Sequence, residues 1–455
     1  MRVGIFGTRL GRVTRVGVLS LLVLAVVASI AEAAADRKWV KRYSGPGDQV
    51  DAGAVLAFDK WGNVYVAGKS AAGSHEEDYY LIKYGPDGSV KWTARYDGPA
   101  TGYDGIKGIV VDNNDNVYVT GRSFGSGSGA DFATIKYDGG GHQKWVRRYS
   151  GSGASEDGAV GIALDSYGNV IVTGTSTTKT SGTDIVTIKY GADGSTKWTK
   201  RYDGPAGAGD VARGVVVDSD NNIYVTGPSR GIGSDWDFCT IKYGPGGSEL
   251  WVRRWNGAAN FNDGSTDLAL DGAGGVYVTG YSYRAKNDCD YVTIKYGGGG
   301  ALKWVRTYDG PASGLDVAWA IAIDGSGVYV TGQSQGKNSG SDYATIRYNR
   351  GGVQTFLRRH GSPGAAEDIA NDIAAGNGRV YVTGFHGGLG GGNYLTIAYG
   401  VGGWYKWSDR YDGPGDGFDQ ANAVGICPVT GNVYVTGGSA GSGTGPDFAT
   451  IKYGP

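Results

Sequence analysis

The chain repeats itself eight times at a step of about 53 residues. The clearest mark is an apolar tract ending in glycine: V-Y-V-A-G at Gly68, then V-Y-V-T-G or a close variant at Gly121, Gly174, Gly227, Gly280, Gly332, Gly384 and Gly437. A second mark keeps the same beat: Trp39, Trp92, Trp145, Trp198, Trp251, Trp304, then Phe356, then Trp407. A third is D-x-x-T-I-K-Y or a close variant, ending at Tyr84, Tyr137, Tyr190, Tyr243, Tyr296, Tyr348, Tyr399 and Tyr453. A period in this range signals stacked supersecondary units, a propeller or an array.

One unit shows the local structure. Lys144–Tyr149, Ala159–Leu164, Val170–Thr173 and Ile185–Tyr190 are short strand candidates separated by turn residues. Gly174 is expected to stop the third, with a loop of about ten residues after it. No window carries a helical stripe. In V-Y-V-T the valines face one way and the tyrosine and threonine the other, and neither face is charged. Such a sheet must be covered on both sides, which neighbours around a ring provide. A β-sandwich has no need of eight matched units. An open solenoid would carry divergent polar caps, whereas the last unit, ending D-F-A-T-I-K-Y-G-P, looks internal.

The expected fold is therefore all-β: a single closed propeller of eight four-stranded blades over 36–455. Label the strands a to d from the axis outward. The last unit stops on strand c, and the Trp39–Tyr43 segment is the spare strand at the other end. It is predicted to complete blade 8 and cover an otherwise open sheet edge.

Residues 1–35 read as a secretory signal: basic Arg2, Arg9, Arg12 and Arg15, an apolar run Val16–Ile30, then small residues to Ala35. Cleavage is expected after Ala35 or Ala33. Loss of four arginines and Glu32 moves the formal charge from -1 to -4. So mild a charge argues against nucleic acid as a partner. Cys239, Cys289 and Cys427 each occur in one unit only. Cys239 and Cys427 read as small buried hydrophobes, and Cys289, between Asp288 and Asp290, as a loop residue.

The unit resembles the bacterial β-propeller repeat known as SBBP, whose stretches match here at Ile106–Asp112, Asp115–Gly121, Asp131–Tyr137 and Trp145–Gly151. The resemblance spans essentially the whole chain after residue 35. It implies an exported or surface protein serving as a binding or structural module, and no shared active site. The family name implies seven blades, the competing count, whereas eight registers are present.

Several polar positions recur. An aspartate precedes strand a throughout: Asp51, Asp104, Asp157, Asp210, Asp263, Asp316, Asp368 and Asp419. Another precedes strand c: Asp78, Asp131, Asp184, Asp237, Asp290, Asp342, then Asn393, then Asp447. Both sets are expected around one mouth of the ring, on the face of the d–a and b–c loops. Carboxylates there are candidate calcium ligands, but eightfold repetition favours turn chemistry, in which each accepts backbone N–H bonds. No resident cofactor is expected, with calcium the exception to test. A third set ends strand a: Asp59, Asp112, Asp165, Asp218, Asp271 and Asp324. It reads as a hairpin turn on the opposite face. The tryptophans read as blade-to-blade packing.

Departures from the repeat are the candidates for function. Blade 5 carries Y-S-Y-R-A-K-N-D-C-D at 281–290, blade 7 carries F-H-G-G-L-G-G-G-N at 385–393, and blade 8 is preceded by Asp416 and Phe418. The candidate ligand set is Asp263, Tyr281, Tyr283, Arg284, Asp290, His386, Asn393, Asp416 and Asp419. The favoured reading is a non-catalytic interaction or structural module, secreted, periplasmic or surface-associated, monomeric, with an extracellular protein or glycan as partner. The alternative is a propeller-based carbohydrate-active enzyme, a lyase or glycosidase. No catalytic residue stands out, because the repeated aspartates leave no pair distinguished.

Overall fold

The structure, a computed structural model, describes residues 34–46, 50–71, 76–151, 156–178, 182–362, 364, 366–388, 391–415 and 417–455. The expected signal segment, up to residue 33, lies outside the described residues. The described chain forms eight antiparallel sheets of four strands each. Blade 1 is strand a (Asp51–Phe58), b (Val64–Ala71), c (Glu77–Tyr84) and d (Val90–Tyr96). Blades 2 to 7 repeat that order with consecutive strands.

Blade 8 takes a (Gln420–Ile426), b (Val433–Ala440) and c (Pro446–Tyr453) from the end of the chain, and its outer strand is Arg37–Tyr43. That strand pairs antiparallel with strand c, Trp39 opposite Lys452 and Tyr43 opposite Phe448. The ring therefore closes as the repeat count requires. Closure is also side-chain deep: Trp39 packs edge-on to Tyr434 at 5.7 Å, and Arg42 reaches Asp447 at 2.7 Å.

Alternation along strand b places the core between blades. Val64 and Val66 pack with Tyr434 and Phe448 of blade 8, while Tyr65 and Ala67 pack with Ile106, Val117 and Ile135 of blade 2. Each sheet is thus buried on both faces, and no single blade owns a core. The tryptophans sit across the same seams. Trp92 packs on Tyr65 of its own blade and Tyr137 of the next, and its indole N–H donates to Gly139 O at 2.9 Å. Phe356 keeps the ring contact, with Tyr329, and has no N–H to donate.

Two expectations need correction. Gly174 does not stop strand b of blade 3, which runs from Val170 to Thr178, and much of the expected loop is strand. The glycine stands opposite a β-bulge in strand a, between Ala159 and Gly161, where the extra residue pushes a carbonyl toward strand b. A Cβ on Gly174 would collide with Gly158 O, and one on Gly68 with Ala52 O. All eight marker glycines share this clash. The glycine marks a close backbone approach, not a strand end. Cys289 is also no loop residue. It lies in strand c of blade 5 (Asp288–Tyr296), fully buried, because its side chain alternates inward beside Asp316 O.

Strands a surround a narrow central channel of about 280 Å³, lined by Val55, Lys107, Val160, Arg213, Asp267, Asp372 and Ala423 among others.

Candidate functional site

The mouth built by the d–a and b–c loops has two rings of aspartate. The inner ring precedes strand a. Each of its eight carboxylates is buried and accepts a backbone N–H six residues upstream: Gly45 for Asp51, Gly98 for Asp104, Gly151 for Asp157, Gly204 for Asp210, Gly257 for Asp263, Gly310 for Asp316, Ser362 for Asp368 and Gly413 for Asp419. Asp104 also accepts from Phe124 N at 2.7 Å, and Asp419 from Ala440 N at 2.8 Å. Each carboxylate therefore fastens a d–a loop, and in several blades also strand b. Asp263 and Asp419, among the candidate ligand residues, occupy this same buried role.

The outer ring is held by arginines on strand d. Blade 2 shows the full arrangement. Arg148 bonds Asp131 at 2.8 Å, Ser123 Oγ at 2.7 Å, Ser123 O at 2.8 Å and the hydroxyl of Tyr96 from blade 1 at 3.1 Å. Arg95, Arg201, Arg254, Arg359 and Arg42 meet Asp78, Asp184, Asp237, Asp342 and Asp447 in the same way. A guanidinium with its fork filled by a carboxylate, a serine and a carbonyl is structural glue.

Two blades depart from this cage, and they resolve differently. In blade 5 the arginine is replaced by Thr307. Arg284 from the b–c hairpin supplies the missing charge, 3.1 Å from Asp290, 2.9 Å from Asp288 and 3.0 Å from Asp309. Tyr281 and Tyr283 stack edge-on beside it at 5.7 Å. The unusual 281–290 segment, strand except at its turn, is thus largely engaged in repairing its own blade.

Blade 7 keeps the arginine, Arg410, and changes everything around it. His386 stands where the other blades have serine, Asn393 where they have aspartate, and His360 of blade 6 where the neighbouring blade usually offers a tyrosine. Among the described residues the Arg410 side chain forms no hydrogen bond or ion pair, and it is exposed. A cavity of about 720 Å³ opens there, lined by His360, Ser362, Glu367, Phe385, His386 and Arg410 with glycines between them. Phe385 is backed by Phe418, stacked at 4.6 Å. Asp416 lies outside the described residues.

His386 reaches the inner ring, 2.5 Å from Asp368. Burial works against a charged Asp368, but the His386 contact and the Ser362 amide hold it below the usual carboxylate range. Burial and the adjacent His386 push His360 down, and His360 Nε2 is buried without a partner among the described residues. Ser362 Oγ lies 3.3 Å from Nε2 and 3.4 Å from Nδ1 of His386. Near-equal distances put the hydroxyl in line with neither nitrogen, unlike a serine poised for deprotonation.

Elsewhere, the third aspartate set closes hairpins as expected. Asp59 accepts the amides of Trp61 and Asn63 and pairs with Lys83 at 3.2 Å. Among the described residues three carboxylate triples also form, Asp78/Asp97/Asp104, Asp184/Asp203/Asp210 and Asp290/Asp309/Asp316, and in each an arginine already pairs with the strand-c member. In the channel, Asp267 and Asp372 accept amides from strand a of the next blade, Ile321 and Val424. Burial deep in the ring pushes them up to about 6 and about 7.

Of the residues singled out in the sequence, His386 lines this cavity and Asn393 pairs with it across strands b and c. Sequence reasoning missed Arg410, His360, Ser362 and Glu367. The signal for them is a fourth register, the strand-d arginine, with three of its partners changing together around one copy, two in blade 7 and one in blade 6.

No protein-family model matches this chain, and no curated protein matches it. Solved structures with a similar fold include Sqt1 from Chaetomium thermophilum bound to the N-terminus of the ribosomal protein L10, 10% identical over 91% of this chain and 98% of that one, with a TM-score of 0.54. The periplasmic gluconolactonase PpgL of Pseudomonas aeruginosa is 16% identical over 78% of this chain and 97% of its own, TM-score 0.48. Polysaccharide lyase Uly1 is 11% identical over 88% and 90%, TM-score 0.48. At such identities the likeness is one of fold alone. Among the described residues no helix is long and apolar enough to cross a membrane.

Proposed function

We propose that this protein is an exported, non-catalytic propeller of the SBBP type that binds a glycan or a protein loop on the face of the d–a and b–c loops, at the cavity between blades 6 and 7. One observation carries the reading. Six blades lock a strand-d arginine into a carboxylate cage, blade 5 rebuilds the charge balance, and among the described residues blade 7 alone leaves its arginine without a partner, beside an open cavity. Structural repetition does not require that departure, and it gives up several charge-assisted bonds. Secretion is supported by the basic, apolar and small-residue order of the first 35 residues.

The test is a glycan array and a protein pull-down with the purified chain from residue 36, alongside a variant carrying the b–c loop of blade 2 in place of 385–392. Binding lost in that variant supports the location. Undiminished binding refutes it. The enzyme reading draws on the meeting of Ser362, His386 and Asp368. Turnover of a polysaccharide, abolished by Ser362→Ala or His386→Ala, would put it first.

A further inference from the structure

We propose that the cavity between blades 6 and 7 binds the carboxylate of a hydroxylated organic acid, a sugar acid in size and character, with Arg410 as the main anion partner. The inference rests on the proposed binding face and names what that face takes.

Arg410 lacks the partners that its counterparts hold. Its counterpart Arg148 spends its fork on one carboxylate, one hydroxyl, one carbonyl and one phenol. At Arg410 the carboxylate position holds neutral Asn393, and the hydroxyl and phenol positions hold His386 and His360. Nearby acids are already engaged. Asp368 is taken by His386 and the amides of Ser362 and Gly387. Asp409 is taken by Arg37 at 2.6 Å and the Tyr453 hydroxyl at 2.8 Å. Glu367 lines the cavity too, but it is exposed and its carboxylate forms no hydrogen bond among the described residues. A planar guanidinium left open at a cavity wall matches a carboxylate in a two-point fork.

The other walls define the rest of the ligand. His360 lines the cavity, and its Nε2 is buried without a partner among the described residues. Glu367 is an acceptor suited to ligand hydroxyls. It also disfavours a multiply charged anion. Phe385, stacked on Phe418, supplies an apolar face for ring C–H groups. Among the described residues a Cβ on Gly388 would meet nothing within 4 Å. The volume of about 720 Å³ lies within the usual range for small-molecule sites.

The test uses the chain from residue 36, with D-glucuronate, D-glucose and inorganic phosphate as probes in titration calorimetry at up to about 10 mM, where a millimolar ligand registers. Three proteins are compared: the parent, Arg410→Lys, and a triple variant His360→Tyr, His386→Ser, Asn393→Asp that returns blade 7 to the pattern of blade 2. The parent is expected to bind glucuronate at least about tenfold more tightly than glucose or phosphate. Arg410→Lys should weaken glucuronate by about tenfold or more, since an ammonium lacks the fork. The triple variant should lose glucuronate while melting no lower than the parent, because Arg410 regains its cage. That pairing separates loss of the site from loss of the fold. No glucuronate binding by the parent, equal binding by the triple variant, or tighter phosphate binding would each overturn the proposal. A neutral glycan bound through 385–392 would overturn only the acid, leaving the binding face in place.

Discussion

Replacing Asp104 by alanine should destabilise the propeller by about 2–4 kcal/mol. Asp104 is fully buried and accepts Gly98 N at 2.6 Å and Phe124 N at 2.7 Å. Removing it strands two backbone donors, each costing about 1–3 kcal/mol when buried. Burial holds this carboxyl above its usual range, against the pull of the two amides, so relief of that strain offsets part of the loss. Comparable helix-capping acceptors are worth about 0.5–2 kcal/mol for one bond, which sets the lower bound. Asp104→Asn keeps one acceptor and should cost about half as much. Urea unfolding measures both, read from the midpoint at unchanged slope, with and without calcium and with chelator. A loss under about 0.5 kcal/mol would refute the anchoring role. A chelator-induced fall in the parent's stability, abolished by Asp104→Ala, would replace anchoring with metal binding.

Other outcomes follow from the same geometry. Deleting residues 36–44 removes the outer strand of blade 8, exposes Tyr434 and strands Asp447, so the melting temperature should fall sharply; an unchanged value would deny closure by this strand. Asp372 is pushed up to about 7, above an unfolded value of about 4. The folded state therefore holds the extra proton between those values, and the associated stability, present at low pH, is lost as pH rises through about 7. Relative to Asp372→Asn, the parent should lose stability between pH 5 and 8 by on the order of 2 kcal/mol; parallel profiles would refute the shift. Burial pushes the Cys239 and Cys289 thiols up to about 12, so neither should react with iodoacetamide at pH 8 until urea unfolds the chain, and rapid labelling of the native protein would contradict their burial.

The ring was legible from the sequence because its marks are local and periodic. Trp39 and Gly68 recur at one step, and the spare strand at Trp39 matches the missing strand after Tyr453. The role of Gly174 was not legible. Glycine reads as a stop in one strand, and only the bulge in the facing strand shows that it admits a carbonyl. Cys289 was misread for a related reason: flanking aspartates suggested a loop, but alternation places them and the thiol on opposite faces of a strand. At the candidate site, His386 and Asn393 stood out as single departures. Their meaning needs Arg410 and His360, which are close in space and distant in sequence, and belong to two different blades.

The measurement that bears most directly on the blade 7 site is hydrogen exchange of the chain from residue 36, with and without the tightest ligand found on the array. Protection is expected in the segments around 360–368 and 385–393, with little change on the face of the Asp59-type hairpins. Protection confined to the central channel or to that opposite face would contradict the assignment.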